Sequence, residues 1–100
     1  MISPKQLAET ILILLEEAVL SVLFIEQSEY LKPADISKRL GIDKASYGIK
    51  GRDYPIIGSV LEKLEREERI ERDREFYPKW GLTESEIKER SNTGNLLHTL

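Results

Sequence analysis

The residue types that usually carry out catalysis or bind metals are scarce in this sequence. It contains no cysteine, which excludes disulfides, thiolate chemistry and cysteine-ligated zinc. Its one histidine, His98, lies in a polar stretch. Glu65, Glu67 and Glu68 are close together, but on a helix their carboxylates do not converge, and several have a basic residue three or four positions away. We therefore expect no enzymatic activity, no metal site and no cofactor.

A set of basic residues interleaved with tyrosines is the clearest sign of a function. These residues are Lys44, Lys50, Arg52, Tyr47 and Tyr54. Such side chains contact the phosphates and sugars of nucleic acids. They lie in the only basic third of the chain, since residues 31–60 have a net charge of +3 whereas the whole chain of 100 residues has −3. The pattern favours contact with nucleic acid. The alternative is a solvated loop whose tyrosines anchor it to the core.

The longest predicted element is a first helix over residues 4–28, with Ser3 as its cap and Pro4 in its first turn. Its helical period gives one apolar face for the core, formed by Leu7, Ile11, Leu15, Ala18, Val22 and Ile25. A second apolar stripe lies opposite, formed by Ile13, Leu20 and Phe24. Because monomers seldom expose such a stripe, it predicts a homodimer. The alternative cover is the apolar end of the same chain, Leu96, Leu97 and Leu100.

Shorter elements follow the first helix. We expect a short extended piece at residues 30–31, helices at residues 34–40 and 55–68, an antiparallel pair of strands at residues 70–73 and 77–82, and a last helix at residues 84–90. The connection before Pro55 is long, so it is either an expanded turn or contains a short helix over residues 44–47. Asp53 is the expected cap of the helix that follows. Residues 1–90 are predicted to form one domain and residues 91–100 a flexible tail.

Three stretches, in this order, resemble a known family. They read ADISKRLGI from Ala34, IIGSVLEKLEREERIER from Ile56 and FYPKWGLT from Phe76. Together they resemble the winged helix-turn-helix domain of bacterial and archaeal transcription regulators of the multiple-antibiotic-resistance and phenolic-acid regulator types. The resemblance covers residues 10–83. It implies a three-helix core with a small antiparallel β wing, and a DNA-binding regulator that docks its third helix in the major groove and its wing on the flanking backbone.

The resemblance adds candidate contacts with double-stranded DNA to those in the basic loop. On the third helix these are Ser59 and Arg66, next to the small Gly58, and in the wing they are Arg72, Arg74 and Lys79. With Lys44, Lys50, Arg52 and Tyr54 they make up the predicted DNA-binding surface. The alternatives are an ordinary solvated helix face and a hairpin whose mixed charges prevent edge-to-edge aggregation.

A different class of function is also compatible with the sequence. The pI of about 5.2 and the glutamate-rich third helix are features of a winged helix that binds a protein partner and has no DNA affinity. The apolar run from Ile11 to Ile25 is interrupted by Glu16 and Glu17, so no membrane span is expected. No signal peptide is recognised, and a cytoplasmic location is expected.

Overall fold

A computed structural model describes the backbone of residues 1–42 and 44–98 and the side chains of residues 1–42 and 44–92. Within these residues five helices and one two-stranded sheet follow each other along the chain. Their order is α1 (Pro4–Ile25), α2 (Pro33–Leu40), α3 (Lys44–Tyr47), α4 (Pro55–Arg66), β1 (Ile70–Arg72), β2 (Trp80–Leu82) and α5 (Glu84–His98). The predicted mostly helical α+β fold with a small antiparallel wing and a long first helix is confirmed.

The helix ends show why these segments fold locally. Ser3 caps α1 as predicted, because its hydroxyl accepts a hydrogen bond from the Gln6 backbone while the Gln6 side chain accepts one from the Ser3 backbone. Gly41 ends α2 with a φ of 71°, a conformation that costs glycine little. The prediction that Asp53 caps α4 is wrong. Tyr54 occupies that position without a side-chain cap, and the Asp53 carboxylate lies 3.9 Å from the Lys44 ammonium group.

The core lies where the second half of α1 meets α2, α4 and β2. Its largest fully buried side chains include Leu20, Ile36, Ile57, Leu61 and Leu64. The buried residues of α4 recur at the helical period, so this helix turns one continuous apolar face inwards and keeps the opposite face in solvent. That arrangement presents the outer face of α4 for binding.

The first helix differs from the prediction on both of its faces. Leu20 is fully buried and Phe24 is half-buried against the core, because α2, α4 and β2 pack around more than one side of this half of α1. The predicted dimer stripe is therefore wrong at Leu20, and only Ile13 is well exposed. Leu7 and Ile11, predicted to face the core, are more than half exposed, because the first half of α1 extends beyond the core. Ile25, predicted to face the core as well, is exposed at the other end of α1.

The wing is a short antiparallel pair in which Ile70 lies opposite Leu82 and Arg72 opposite Trp80. Leu31 pairs with Trp80 on its other side, which confirms the predicted extended piece before α2. The second strand begins at Trp80 and not at residue 77. Pro78 explains the shorter strand, because proline has no N–H to donate to a strand pair.

The last helix is longer than predicted. It continues to His98, so residues 91–98 are helical, and the predicted end at Arg90 is wrong. Two ion pairs hold its first turns on the rest of the chain: Arg69 lies 2.8 Å from Glu86, and Arg90 lies 3.0 Å from Glu17. The structure does not describe the side chains of Leu96 and Leu97 or any part of Leu100. The alternative that these leucines cover α1 therefore falls on residues outside the described part of the chain.

Gly81 gives a first testable prediction. A Cβ atom at this position would lie 2.4 Å from two carbons of the Tyr30 ring, which packs directly on the β2 backbone. We expect Gly81→Ala to lower the free energy of unfolding by about 1–3 kcal/mol through this overlap. Gly58→Ala is the matched control, because nothing lies within 4 Å of its added Cβ. Urea denaturation of both variants measures the difference, and equal stability of Gly81→Ala and the unchanged protein would contradict this packing.

Candidate nucleic-acid interface

The sequence left two alternatives for the segment between α2 and α4, an expanded turn or a short helix over residues 44–47, and the structure shows the helix. Residues Lys44–Tyr47 form α3, so the long connection is not merely an expanded turn. It is followed by a tight turn in which Ile49 and Arg52 exchange two backbone hydrogen bonds of 2.9 Å. Gly51 has a φ of 84° in this turn, and Lys50 lies beside it at the exposed tip. The predicted basic loop is therefore an ordered protrusion with Lys50 at its end.

A concave surface of about 340 Å³ lies between the start of α2 and the start of α4. Its lining includes Pro33, Arg52, Tyr54, Gly58, Ser59 and Glu62. Gly58 leaves open space where any other residue would place a side chain, so a ligand backbone can approach α4 closely there. Of the residues predicted to bind DNA, this surface brings together Arg52, Tyr54 and Ser59.

The outer face of α4 carries the other predicted contact on this helix. Arg66 is exposed, and no carboxylate of the described residues forms an ion pair with it. The Ser59 hydroxyl donates a 3.0 Å hydrogen bond to the Pro55 carbonyl, which leaves its lone pairs available. Glu62 is also exposed on this face and opposes phosphate. On this face α4 therefore presents the guanidinium of Arg66, the hydroxyl of Ser59 and the carboxylate of Glu62 to a partner.

Arg72 has a structural partner that sequence reasoning missed. Its guanidinium donates two hydrogen bonds of 2.8 Å to the Glu65 carboxylate and lies 4.4 Å from the centre of the Trp80 ring. The guanidinium lowers the pKa of Glu65. These contacts fix β1 to α4, so Arg72 positions the wing against the helix.

A second contact fixes the other side of β1. The Tyr30 hydroxyl donates a hydrogen bond to the Glu71 carboxylate, which raises the pKa of Tyr30 to about 12. Neighbouring residues of a strand point to opposite faces. Glu71 therefore attaches one face of β1 to Tyr30, and Arg72 attaches the other face to Glu65 on α4. A duplex seated on α4 would thus meet a wing held at a defined position.

The tip of the wing is formed by residues 73–79. It includes two of the predicted contacts, Arg74 and Lys79, both exposed. It also includes Phe76 and Tyr77, which the structure leaves 88% and 74% exposed, although Tyr77 was predicted to begin the second strand. The sequence signal for this placement is Pro78, which follows them directly and has no N–H to donate, so the paired strand begins only after it.

The basic residues of the predicted site thus fall into two groups. Lys50, Arg52, Arg66, Arg74 and Lys79 are exposed, with no ion pair to any carboxylate in the part of the chain that the structure describes. Lys44 and Arg72 are paired within the chain, with Asp53 and Glu65. Residues 1–42 and 44–92 contain no cluster of three acidic or histidine side chains able to hold a metal ion.

Solved structures with the same arrangement of helices and wing decide the fold. MepR of Staphylococcus aureus, a transcription regulator of the multidrug efflux pump MepA, is 26% identical with a TM-score of 0.55, and the match covers 85% of this chain and 64% of that one. This chain has a winged helix-turn-helix fold. A mutant of MepR from a multidrug-resistant clinical isolate is 28% identical, with a TM-score of 0.54 over 85% of this chain and 63% of that one.

The winged helix also resembles a mutant form of ZitR of Lactococcus lactis. The identity is 22% and the TM-score 0.52, over 82% of this chain and 55% of that one, which supports the fold alone. The chain spans less than two thirds of the length of these proteins. No family model and no curated protein matches the sequence. No helix among the described residues is long and apolar enough to cross a membrane.

Proposed function

We propose that this winged helix binds double-stranded DNA and regulates transcription. The observation that carries the proposal is the set of exposed, unpaired cations around the outer face of α4, on a fold shared with MepR. Helix α4 enters the major groove, where an α-helix fits. Residues 1–90 act as the DNA-binding domain, and the protein works in the cytoplasm.

Two kinds of contact are expected on this surface. Lys50 and Arg52 lie on the loop beside α4 and neutralise phosphates, which sets affinity without reading sequence. Arg66 lies on α4 itself, where a guanidinium can donate two hydrogen bonds to guanine. Substitutions at Arg66 or Ser59 should therefore change sequence preference more than general affinity.

The salt dependence of DNA binding tests the proposal. Binding to duplex DNA of random sequence should weaken steeply as salt is raised, because phosphate contacts release counterions. Replacing both Lys50 and Arg52 with alanine should flatten the slope of log K against log salt by about one unit for each lost contact. Fluorescence anisotropy at several salt concentrations measures both quantities.

The control for this experiment removes the same charge elsewhere. Lys5 and Lys88 lie on α1 and α5, away from the loop, and their joint replacement with alanine should leave the slope unchanged. If both double variants flatten the slope of log K against log salt by the same amount, overall charge alone explains the binding and the loop is not the docking surface. If the unchanged protein binds no duplex at either low or high salt, the DNA-binding proposal is wrong.

We also propose that the protein is a homodimer through the first half of α1. The support is a group of large apolar side chains there that are each more than half exposed: Leu7, Ile11, Leu12, Ile13 and Leu14. Monomers seldom expose so many large apolar side chains along one stretch of helix. Glu9, on the same half of the helix, provides the polar rim of such a contact. Two copies related by a two-fold axis would place two α4 helices for paired half-sites on DNA.

A protein-binding winged helix is the second candidate. Glu62 on the outer face of α4 favours it, because this carboxylate repels phosphate and suits a basic partner. The salt titration separates the two candidates, since a protein-binding module should show almost no DNA affinity at any salt concentration.

A further inference from the structure

Two aromatic rings stand out at the tip of the wing. Phe76 and Tyr77 are 88% and 74% exposed, and their rings meet edge to face with centres 4.9 Å apart. Exposed aromatic side chains lose hydrophobic stabilisation, and these two contribute nothing to the core. Packing in the core therefore does not account for their position.

The loop that carries the rings is held at its base. The Asp73 backbone N–H donates a 3.0 Å hydrogen bond to the Lys79 carbonyl, and the Lys79 N–H donates one of 2.9 Å to the Asp73 carboxylate. Pro78 restricts the backbone of Tyr77 to extended conformations. The rings are therefore presented on a braced loop, which lowers the entropy that binding would cost.

Two basic residues lie on either side of the rings along the loop. Arg74 and Lys79 flank them, and neither forms an ion pair within the described part of the chain. Glu75 is exposed on the same loop, and the Asp73 carboxylate keeps its charge while it accepts a hydrogen bond from the Lys79 N–H at the base of the loop. Two apolar rings between two free cations match a surface with stackable bases inside a phosphate backbone.

We propose that Phe76 and Tyr77 form a wedge that inserts between base pairs from the minor groove and kinks the duplex. This rests on the proposed DNA-binding function and specifies what the wing does in it. Apolar wedges of this kind partly unstack one base step and bend DNA toward the major groove. The Arg72–Glu65 contact holds the wing on α4, so the kink falls next to the segment that α4 occupies.

Insertion of the wedge deforms the DNA, so the protein should prefer base steps that unstack easily. Pyrimidine–purine steps such as TA unstack at the lowest cost. The winged helix therefore gains selectivity at a base step that no hydrogen-bonding side chain needs to read. Arg74 and Lys79 hold the phosphates on either side of the opened step.

The test uses the full chain and a duplex with one central TA step. The adenine of that step is replaced by 2-aminopurine, whose fluorescence rises on unstacking, and the two ends carry a donor and acceptor pair that reports bending. The variants are Phe76→Ala with Tyr77→Ala, Phe76→Leu with Tyr77→Leu, and the control Ile25→Ala, which removes an exposed apolar side chain of α1. All of these positions are exposed, so the fold should survive.

The unchanged protein should raise the 2-aminopurine signal and shorten the end-to-end distance. The double alanine variant should lose both effects and bind about tenfold more weakly, with an unchanged salt slope because no charge is removed. The double leucine variant should keep most of the bend, since leucine also serves as a wedge. Ile25→Ala should behave like the unchanged protein.

Three results would overturn the wedge. If the unchanged protein binds DNA with a steep salt slope but the duplex stays straight and the alanine variant binds equally well, the wedge is wrong and DNA binding stands. If the alanine changes alter sedimentation of the protein and not the bend, the rings contact a second copy. If the unchanged protein does not bind DNA at all, the wedge and the proposed function both fail.

Discussion

Replacing Leu20 with glutamate should unfold the protein, whereas the same change at Ile13 should leave the fold intact. Leu20 is fully buried in the core, while Ile13 lies on the exposed half of α1. Removing a buried leucine side chain alone costs about 2–5 kcal/mol, and the buried carboxylate adds to this. Domains of this size are stabilised by about 5–15 kcal/mol in total. Circular dichroism during urea denaturation measures the effect.

The same pair of variants tests the proposed dimer. Ile13→Glu should convert a dimer to a folded monomer, because it places a charge inside the apolar contact of α1. Sedimentation at micromolar concentration shows the state of each protein. A full-length chain that is already monomeric there would contradict the dimer. A Leu20→Glu variant that remains as stable as the unchanged protein would contradict the core described above.

Replacing Leu61 with alanine should lower the free energy of unfolding by about 2–5 kcal/mol. Leu61 is fully buried in the middle of α4 and belongs to the same core cluster as Ile57 and Leu64. Ile25→Ala is the control, because Ile25 is exposed at the end of α1, and we expect a change of less than about 0.5 kcal/mol. A loss that small at Leu61 would mean that the face of α4 assigned to the core is wrong.

The order and type of the elements could be predicted because the sequence signals were local. Apolar residues recur at the helical period in α4, Gly41 ends α2 in a left-handed conformation, and the aromatic and branched residues after α4 favour strands. The exposed face of α4 follows directly from its period. Ser59 and Arg66 could therefore be placed on that face from the amino-acid sequence alone.

The burial of side chains along α1 and the partners of Arg72 could not be predicted, because they depend on contacts between residues far apart in the sequence. An apolar helix of 22 residues does not reveal that its second half is enclosed on several sides while its first half extends past the core, so Leu20 was placed on the wrong side. Glu68 has a φ of 59° in the turn that ends α4, where glycine is preferred, so its residue type gave no sign of this conformation. Arg72 carries no local sign that it pairs with Glu65 and stacks on Trp80.

The most direct test of α4 docking on DNA is an NMR titration of the isotope-labelled protein with duplex DNA, which measures the chemical shift of each backbone amide. We expect the largest shifts at the amides of Gly58, Ser59 and Glu62 on α4 and of Lys50 and Arg52 on the neighbouring turn, with smaller shifts over the first half of α1. These amides lie on the open outer face of α4 and on the turn that carries the unpaired cations Lys50 and Arg52. Shifts confined to α1 or α5, with the amides of α4 unchanged at saturation, would contradict the proposed interface.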